Sequence, residues 1–555
     1  MSATILRPRD WQGVAREKRA SIASRIAPYA LSDSQLPNPT RKNVSQFLLY
    51  ASFLTPAEKT ITTANLSDLL LRLRSGGWSA KDVTTVYIKT TTVVHQLCNV
   101  LTEPNFDAAL ARAVELDAKL ASSGPVGPLH GLPVTVKDQF MVTGLDTTIA
   151  YTALCGQPAT TQSALIEVLE ALGAIVIAKT TLPQSIMWGE TSSPLFGLTS
   201  NPWNRDFTPG GSTGGEAVLL SMNGSPLGWG TDIGGSVRIP SAMMGTAGFR
   251  PSHGRLPYKG TVVSDDGQEH VPSVVGPMAK TVEGLVEAMR AVCSVDLSRI
   301  DPRVLPIKWR EDAYQSMFGR KLRIGVIRDD GAVRVHPPVA RALQQAVEKL
   351  RAAGHEVVEW APDFHAEGMQ LIEEFYTADG GEDIRAAVLA GGEPFLPHVE
   401  ALVNTAPAVS VFQYWALNRR KWRLHEAYSD KWNASSSLTS DGQEVDLLLA
   451  PALPHVAVPH NYLKWVGYTK IWNLLDFPAG VFAVDYVSVD QDRITEEWAS
   501  YKPRNLDDEI NWKLYDPAVF DGHPIALQVV GRNLQDEKTL AGMKIIEEIV
   551  KQGPR

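Results

Sequence analysis

The chain has 555 residues, 44% of them apolar and 21% charged, with a net charge of −8. That is the composition of a soluble globular protein long enough for a large core. Interspersed acids and bases exclude the basic face that nucleic-acid binding needs, and no stretch nears the ~18 apolar residues of a membrane span.

Cys98, Cys155 and Cys293 lie far apart and in no CxxC spacing, which argues against a zinc site or a disulfide framework. The first residues, MSATILRPRDWQGVAREK, contain no apolar signal core. The last, KQGPR, match no common address tag. The expected compartment is the cytoplasm.

Residues 10–25 read as a basic amphipathic helix, followed by a Pro- and Ser-containing connector over 27–43. Thr55-Pro56-Ala57-Glu58 and Asn65-Leu66-Ser67-Asp68 look like helix starts, each a polar cap followed by early acids. Leu66, Leu69, Leu70 and Leu73 keep helical spacing, Ser79 caps a further helix, and residues 106–120 form another. The first 120 residues are expected to be mostly helical. The pattern changes at Gly127-Pro128: residues 132–138 read as a short strand ending in Lys137 and Asp138. A helix over 162–172 then leads into the apolar run GAIVIA over 173–178, which suits a strand buried on both faces. Beyond the glycine-rich stretch, helix 281–292, strand 322–327, helix 338–353 and strand 356–360 repeat the alternation. Residues 367–431 are helical and aromatic-rich, 445–450 are apolar, 490–516 read as a surface excursion, 525–530 as the last strand and 537–550 as a closing helix. The fold class is α/β, a mixed twisted sheet covered on both faces by helices. Its expected organisation is an N-terminal helical extension over residues 1–60 packed on one catalytic domain over 61–555.

The chemistry concentrates in PGGSTGGEAVLLSMNGSPLGWGTDIGGSVRIP, residues 209–240. Gly210-Gly211-Ser212-Thr213-Gly214 satisfies the G-x-S-x-G elbow of α/β-hydrolases, but that motif needs a strand before its serine, and RDFTP precedes this one. Gly228, Gly230 and Gly234 resemble a dinucleotide loop with no clean strand ahead of them. Ser236 follows Ile233, Gly234 and Gly235, a turn whose backbone N–H groups can converge as a nest on a developing oxyanion. A serine there needs a base. No histidine sits in a marked frame, whereas Lys137 ends a buried-looking strand, where desolvation lowers an amine toward neutrality.

These blocks resemble the amidase signature family: GPLHGLPVTVKD (127–138), PGGSTGGE (209–216), GTDIGGSVRIPSAMMGTAGFRPSHGR (230–255), VVGPMAKTVEGL (274–285) and NLLDFPAG (473–480), in the family's order. The N-terminal region is similar to that of fungal acetamidase-type members. The resemblance implies hydrolysis of a carboxylic amide to carboxylate and ammonia through an acyl-enzyme, with no metal and no cofactor. It assigns Ser236 as nucleophile, Ser212 as the bridging serine with a cis peptide before it, and Lys137 as base. Ile233, Gly234, Gly235 and Ser236 would form the oxyanion hole. Asp232 and Arg238 would pair as structural support, and Thr213 stands where the family most often has serine while keeping the hydroxyl. Ile186 and Met187 would line a tight acyl pocket suited to a small aliphatic or aromatic monocarboxylic amide, with residues 375–472 supplying the other wall. The expected partner is a small-molecule amide, and a homodimer is compatible with the chain. The alternatives are a glutaminase subunit of an amidotransferase, against which the extension and the missing basic face both argue, an amidase of a specialised-metabolite amide, and a non-catalytic descendant.

Overall fold

A computed structural model describes residues 10–50 and 52–551. The rest of the expected extension, residues 1–9, and the tail 552–555 lie outside the described residues. Thirteen strands follow in chain order: β1 (Leu101–Pro104), β2 (Pro133–Lys137), β3 (Ile175–Thr180), β4 (Ser192–Ser193), β5 (Gly197–Leu198), β6 (Leu227–Asp232), β7 (Ala247–Arg250), β8 (Val274–Ala279), β9 (Arg323–Val326), β10 (Glu356–Glu359), β11 (Leu447–Pro451), β12 (Ala479–Tyr486) and β13 (Pro524–Val530). Eleven form one sheet in the order β1-β3-β2-β6-β8-β7-β12-β13-β11-β9-β10, and β4 and β5 form a separate ribbon. The sheet is mixed: β3, β2 and β6 run parallel, as do β11, β9 and β10, with antiparallel pairs between them. Helices pack around it, and no helix among the described residues is long and apolar enough to cross a membrane.

The first 120 residues are mostly helical, as expected, with one edge strand, β1, beside β3. The glycine pattern at Gly228 and Gly230 lies within a central strand, β6, buried along its whole length. Its glycines make room for the helix Gly214–Ser221. A Cβ at Gly228 would stand 2.4 Å from Glu216 Oε2, and one at Gly230 would stand 2.5 Å from Thr213 Cγ2. No phosphate site is needed to explain them.

Parallel pairing of β2 with β6, with Thr135 opposite Gly228, brings the carboxyl ends of both strands to one edge of the sheet. In open α/β sheets that edge is where ligands bind. Lys137 closes β2 and Asp232 closes β6.

The N-terminal helix Trp11–Ile26 buries Ala15, Ile22 and Ile26 in the main apolar core. Lys18 from this helix is ion-paired with Glu103 of β1 and, at 2.7 Å, with Asp146, while Arg25 reaches Glu103 at 3.0 Å. The Asp146 carbonyl in turn accepts from Lys179 Nζ at 2.5 Å, and Lys179 lies 3.5 Å from Asp138, the neighbour of Lys137. A chain of polar contacts thus runs from the first helix to Asp138, the residue beside Lys137. Removing Lys18 leaves Asp146 without its cation and Glu103 with Arg25 alone, and breaking a buried pair at one partner costs about 3 kcal/mol. Lys18→Met is therefore expected to lower the free energy of unfolding by about that amount, read as a lower urea midpoint at unchanged slope. An unchanged midpoint would mean that apolar contact alone holds the helix.

Candidate active site

Lys137 is fully buried. Its Nζ lies 2.6 Å from Ser212 Oγ and 3.0 Å from Thr231 Oγ1. The Thr231 hydroxyl donates to Gln139 Oε1 at 2.6 Å, so toward Lys137 its oxygen accepts. One Nζ–H is thereby placed on Thr231, and the remaining valence of the amine faces Ser212. Burial brings Lys137 from its ordinary 10.5 down to about 7, against the opposing pull of Asp232. Neither Thr231 nor Gln139 was singled out from sequence, although Thr231 sits inside the block 230–255 and Gln139 directly follows the block 127–138.

Ser212 follows a cis peptide bond with Gly211. Gly210 has φ +83°, and a Cβ there would stand 2.8 Å from Pro240 Cα. One at Gly211 would stand 3.0 Å from the Glu190 backbone. Small residues are thus required where two backbones meet. The Thr213 N–H donates to the Ser236 carbonyl at 3.2 Å, joining the two serine turns. The Thr213 hydroxyl has no hydrogen-bond partner among the described residues, and both its methyl and its hydroxyl pack over Gly230.

The turn from Asp232 to Ser236 is held by one carboxylate. Asp232 accepts from Gly235 N at 2.8 Å, from Val237 N at 3.2 Å, from Arg238 Nε at 3.0 Å and Nη2 at 2.9 Å, and from Asn473 Nδ2 at 2.8 Å. Arg238 also donates to Gln528 and Asn473, at 2.7 Å each. Burial alone would raise the Asp232 carboxyl, but Arg238 and Asn473 hold it far below the ordinary carboxylate range. Gly235 adopts φ +123°, and a Cβ there would meet Thr469 Oγ1 at 2.3 Å. Of the four expected oxyanion donors, the Gly235 N–H is therefore committed to Asp232. The N–H groups of Ile233, Gly234 and Ser236 donate to no described residue.

Ser236 borders two cavities. One, of about 530 Å³, is mostly apolar and is lined by Ile186, Met187, Met369, Tyr376, Trp465 and Val466, among others. The other, of about 180 Å³, is polar and contains both Ser212 and Ser236. Ser236 Oγ takes no hydrogen bond from a described residue, so the serine-to-serine contact of the expected relay is open in this state. Ile186 and Met187 line both cavities. Ile186 holds φ +58° and Ser185 φ +67°. Such a conformation is costly for a β-branched residue and is characteristic of functional turns. At about 530 Å³ the larger cavity is roomier than the tight pocket expected, and its opposite wall is made by other elements. That wall comes from two helices, His365–Tyr376 and Gly467–Leu474, with the loop before the latter. Asp507, in the segment read as a surface excursion, also reaches this cavity. Among the described residues no group of three or more His, Cys, Asp or Glu side chains converges to hold a metal ion.

Comparison with known proteins identifies the family. The family described as Amidase matches residues 82–540. The chain is 43% identical to Amidase 1 of Gibberella moniliformis, covering 98% of this chain and 100% of that one. It is 37% identical to the acetamidase of Emericella nidulans, covering 98% of each. Among solved structures, a fatty acid amide hydrolase superposes with a TM-score of 0.92 at 31% identity, covering 98% of this chain and 96% of that one. A match over most of the chain, together with near full-length relatives, makes this protein a member of the amidase family, whose relatives hydrolyse amides.

Proposed function

We propose that the protein hydrolyses the amide of a monocarboxylic acid through an acyl-enzyme on Ser236, with Ser212 and Lys137 as its proton relay. The observation that carries this is the buried Lys137–Ser212 contact of 2.6 Å beside a second serine in an N–H-lined turn. Ser236 Oγ attacks the amide carbon, and its proton passes through Ser212 Oγ to neutral Lys137. The carbonyl electron pair moves onto oxygen, where the uncommitted N–H groups of the turn receive it. On collapse the C–N bond breaks, the proton returns through Ser212 to the leaving nitrogen, and ammonia departs. Water then attacks the ester by the same relay and releases the carboxylate. Apo geometry in such relays commonly tightens once substrate is bound.

The acyl group belongs in the cavity of about 530 Å³, a size within the roughly 300–1,000 Å³ that accommodates drug-sized ligands. An acetyl group would leave it nearly empty. The relatives' names span acetamide and fatty acid amides, and the apolar walls favour an extended acyl group such as a phenylalkyl chain.

Three outcomes follow. Ser236→Ala should abolish turnover, and Lys137→Ala should lower kcat by at least about 10³-fold, within the usual cost of losing an activating base; near-normal turnover in Ser236→Ala would end the proposal. Because the base must be neutral, kcat/KM should rise with pH through a midpoint near 7 and level off above it, and activity that falls from pH 6 to 8 would contradict a lysine base. In a substrate panel, phenylbutanamide should exceed acetamide in kcat/KM by at least about 100-fold, since each buried methylene contributes about 0.8 kcal/mol. A preference for acetamide would mean that the larger cavity does not hold the acyl group.

A further inference from the structure

We infer that Tyr376 is a positioning residue for the oxyanion turn, acting through the peptide plane it holds; this rests on the acyl-enzyme reading above. In a trans peptide the C=O and the following N–H point in opposite directions, so fixing a carbonyl aims the next amide. The turn uses this device three times. The Gly235 carbonyl accepts from Ile239 N at 2.6 Å, which turns the Ser236 N–H away from the following helix. The Gly234 carbonyl accepts from Thr469 Oγ1 at 2.7 Å while the Gly235 N–H of the same peptide donates to Asp232, so this unit is tied at both ends. The Ile233 carbonyl accepts from Tyr376 Oη at 2.5 Å, across 143 residues of sequence, and the Gly234 N–H opposite it is uncommitted. Gly234 lines the large cavity together with Ser236. Of the three carbonyls, only that of Ile233 depends on a phenol from a distant helix to aim a free donor.

The phenol is itself well placed. A Cβ at Gly234 would stand 3.2 Å from Tyr376 Oη and 3.4 Å from Lys470 Cγ, so both side chains pack directly on this glycine. Lys470 Nζ lies 5.2 Å above the Tyr376 ring and is ion-paired with Glu373, one turn back on the tyrosine's own helix. Burial, with Glu373 and Asp232 nearby, raises the phenol well above its ordinary 10.0, so it remains a proton donor throughout the working range. Glu373, Tyr376 and Lys470 all line the cavity assigned to the acyl group. Tyr376 is thus a cavity wall on its ring and a support of the oxyanion turn on its oxygen.

Tyr376→Phe removes only that oxygen and separates the two roles. The readout is affinity for a phenylalkyl trifluoromethyl ketone. Ser236 Oγ adds to its carbonyl carbon, the π electrons move onto oxygen, and the serine proton passes to the Ser212–Lys137 relay, giving a hemiketal oxyanion in the turn. Removing an oxyanion donor outright costs about 10²–10³ in kcat, and misaiming one should cost less. Tyr376→Phe is expected to lower kcat and ketone affinity together, by about 10- to 100-fold, with KM within about twofold. Binding of the intact amide, measured in Ser236→Ala with and without Tyr376→Phe, should not change, and that measurement holds even if the thermal midpoint shifts. Ketone affinity within twofold of wild type would overturn the inference. So would an equal loss of ketone and intact-amide affinity, which would make Tyr376 a wall contact only. Turnover surviving in Ser236→Ala would instead overturn the acyl-enzyme reading.

Discussion

The site depends on a single buried carboxylate. Asp232 ends a central strand and must turn the chain sharply enough to present Ser236 beside its own backbone amides. It does so by accepting two amides of the turn, Gly235 and Val237, while Arg238 neutralises it from the first residue of the next helix. Both partners of the ion pair are fully buried, a costly placement that is offset by further bonds from Arg238 to Gln528 and Asn473. That arrangement fixes the Ser236 turn to β13 and to the helix Gly467–Leu474, elements hundreds of residues away in sequence. It also takes up the Gly235 amide, so how the turn is braced decides which of its N–H groups stay uncommitted.

The second constraint is desolvation at Lys137. An amine with its ordinary pKa would be charged at neutral pH and useless as a base. Placing it at the end of a strand buried on both faces, with Thr231 orienting one N–H, brings Lys137 down to about 7 while it contacts Ser212. The surrounding charges are arranged to keep that environment intact. Asp138, next in sequence, is tied instead to Thr102, Thr148 and the Ile149 amide, and beyond it the Lys179–Asp146–Lys18 chain hands the balance of charge out to the N-terminal helix. The first helix is in this sense part of the electrostatic environment of the site.

Much of this was legible in the sequence where chemistry demands a particular small residue at a particular place. Gly210, Gly211 and Gly235 stand where a side chain would strike backbone or Thr469, and they frame the two serines in recognisable blocks. Lys137 stood out because a lysine closing an apolar strand is unusual. The glycines of β6 misled for the same reason: Gly228 and Gly230 serve a helix packing across a strand, and local patterning cannot tell that use from a loop. Of the turn's braces, the Asp232–Arg238 pair and the block beginning at Asn473 were legible, but the contacts of Tyr376 and Thr469 were not. Both sit on helices whose periodicity reports only that one face is buried, and nothing local says which residue there touches a carbonyl rather than another side chain. The cavity's breadth was hidden likewise, since it depends on how far the His365–Tyr376 helix stands from Ile186.

The central claim is a division of labour between two serines, with Ser236 attacking and Ser212 relaying to Lys137. The most direct measurement is to label the protein with a fluorophosphonate and map the adduct by peptide mass spectrometry. The account expects phosphonylation at Ser236, lost in Lys137→Ala although Ser236 remains present. An adduct on Ser212, or labelling of Ser236 that does not depend on Lys137, would contradict it.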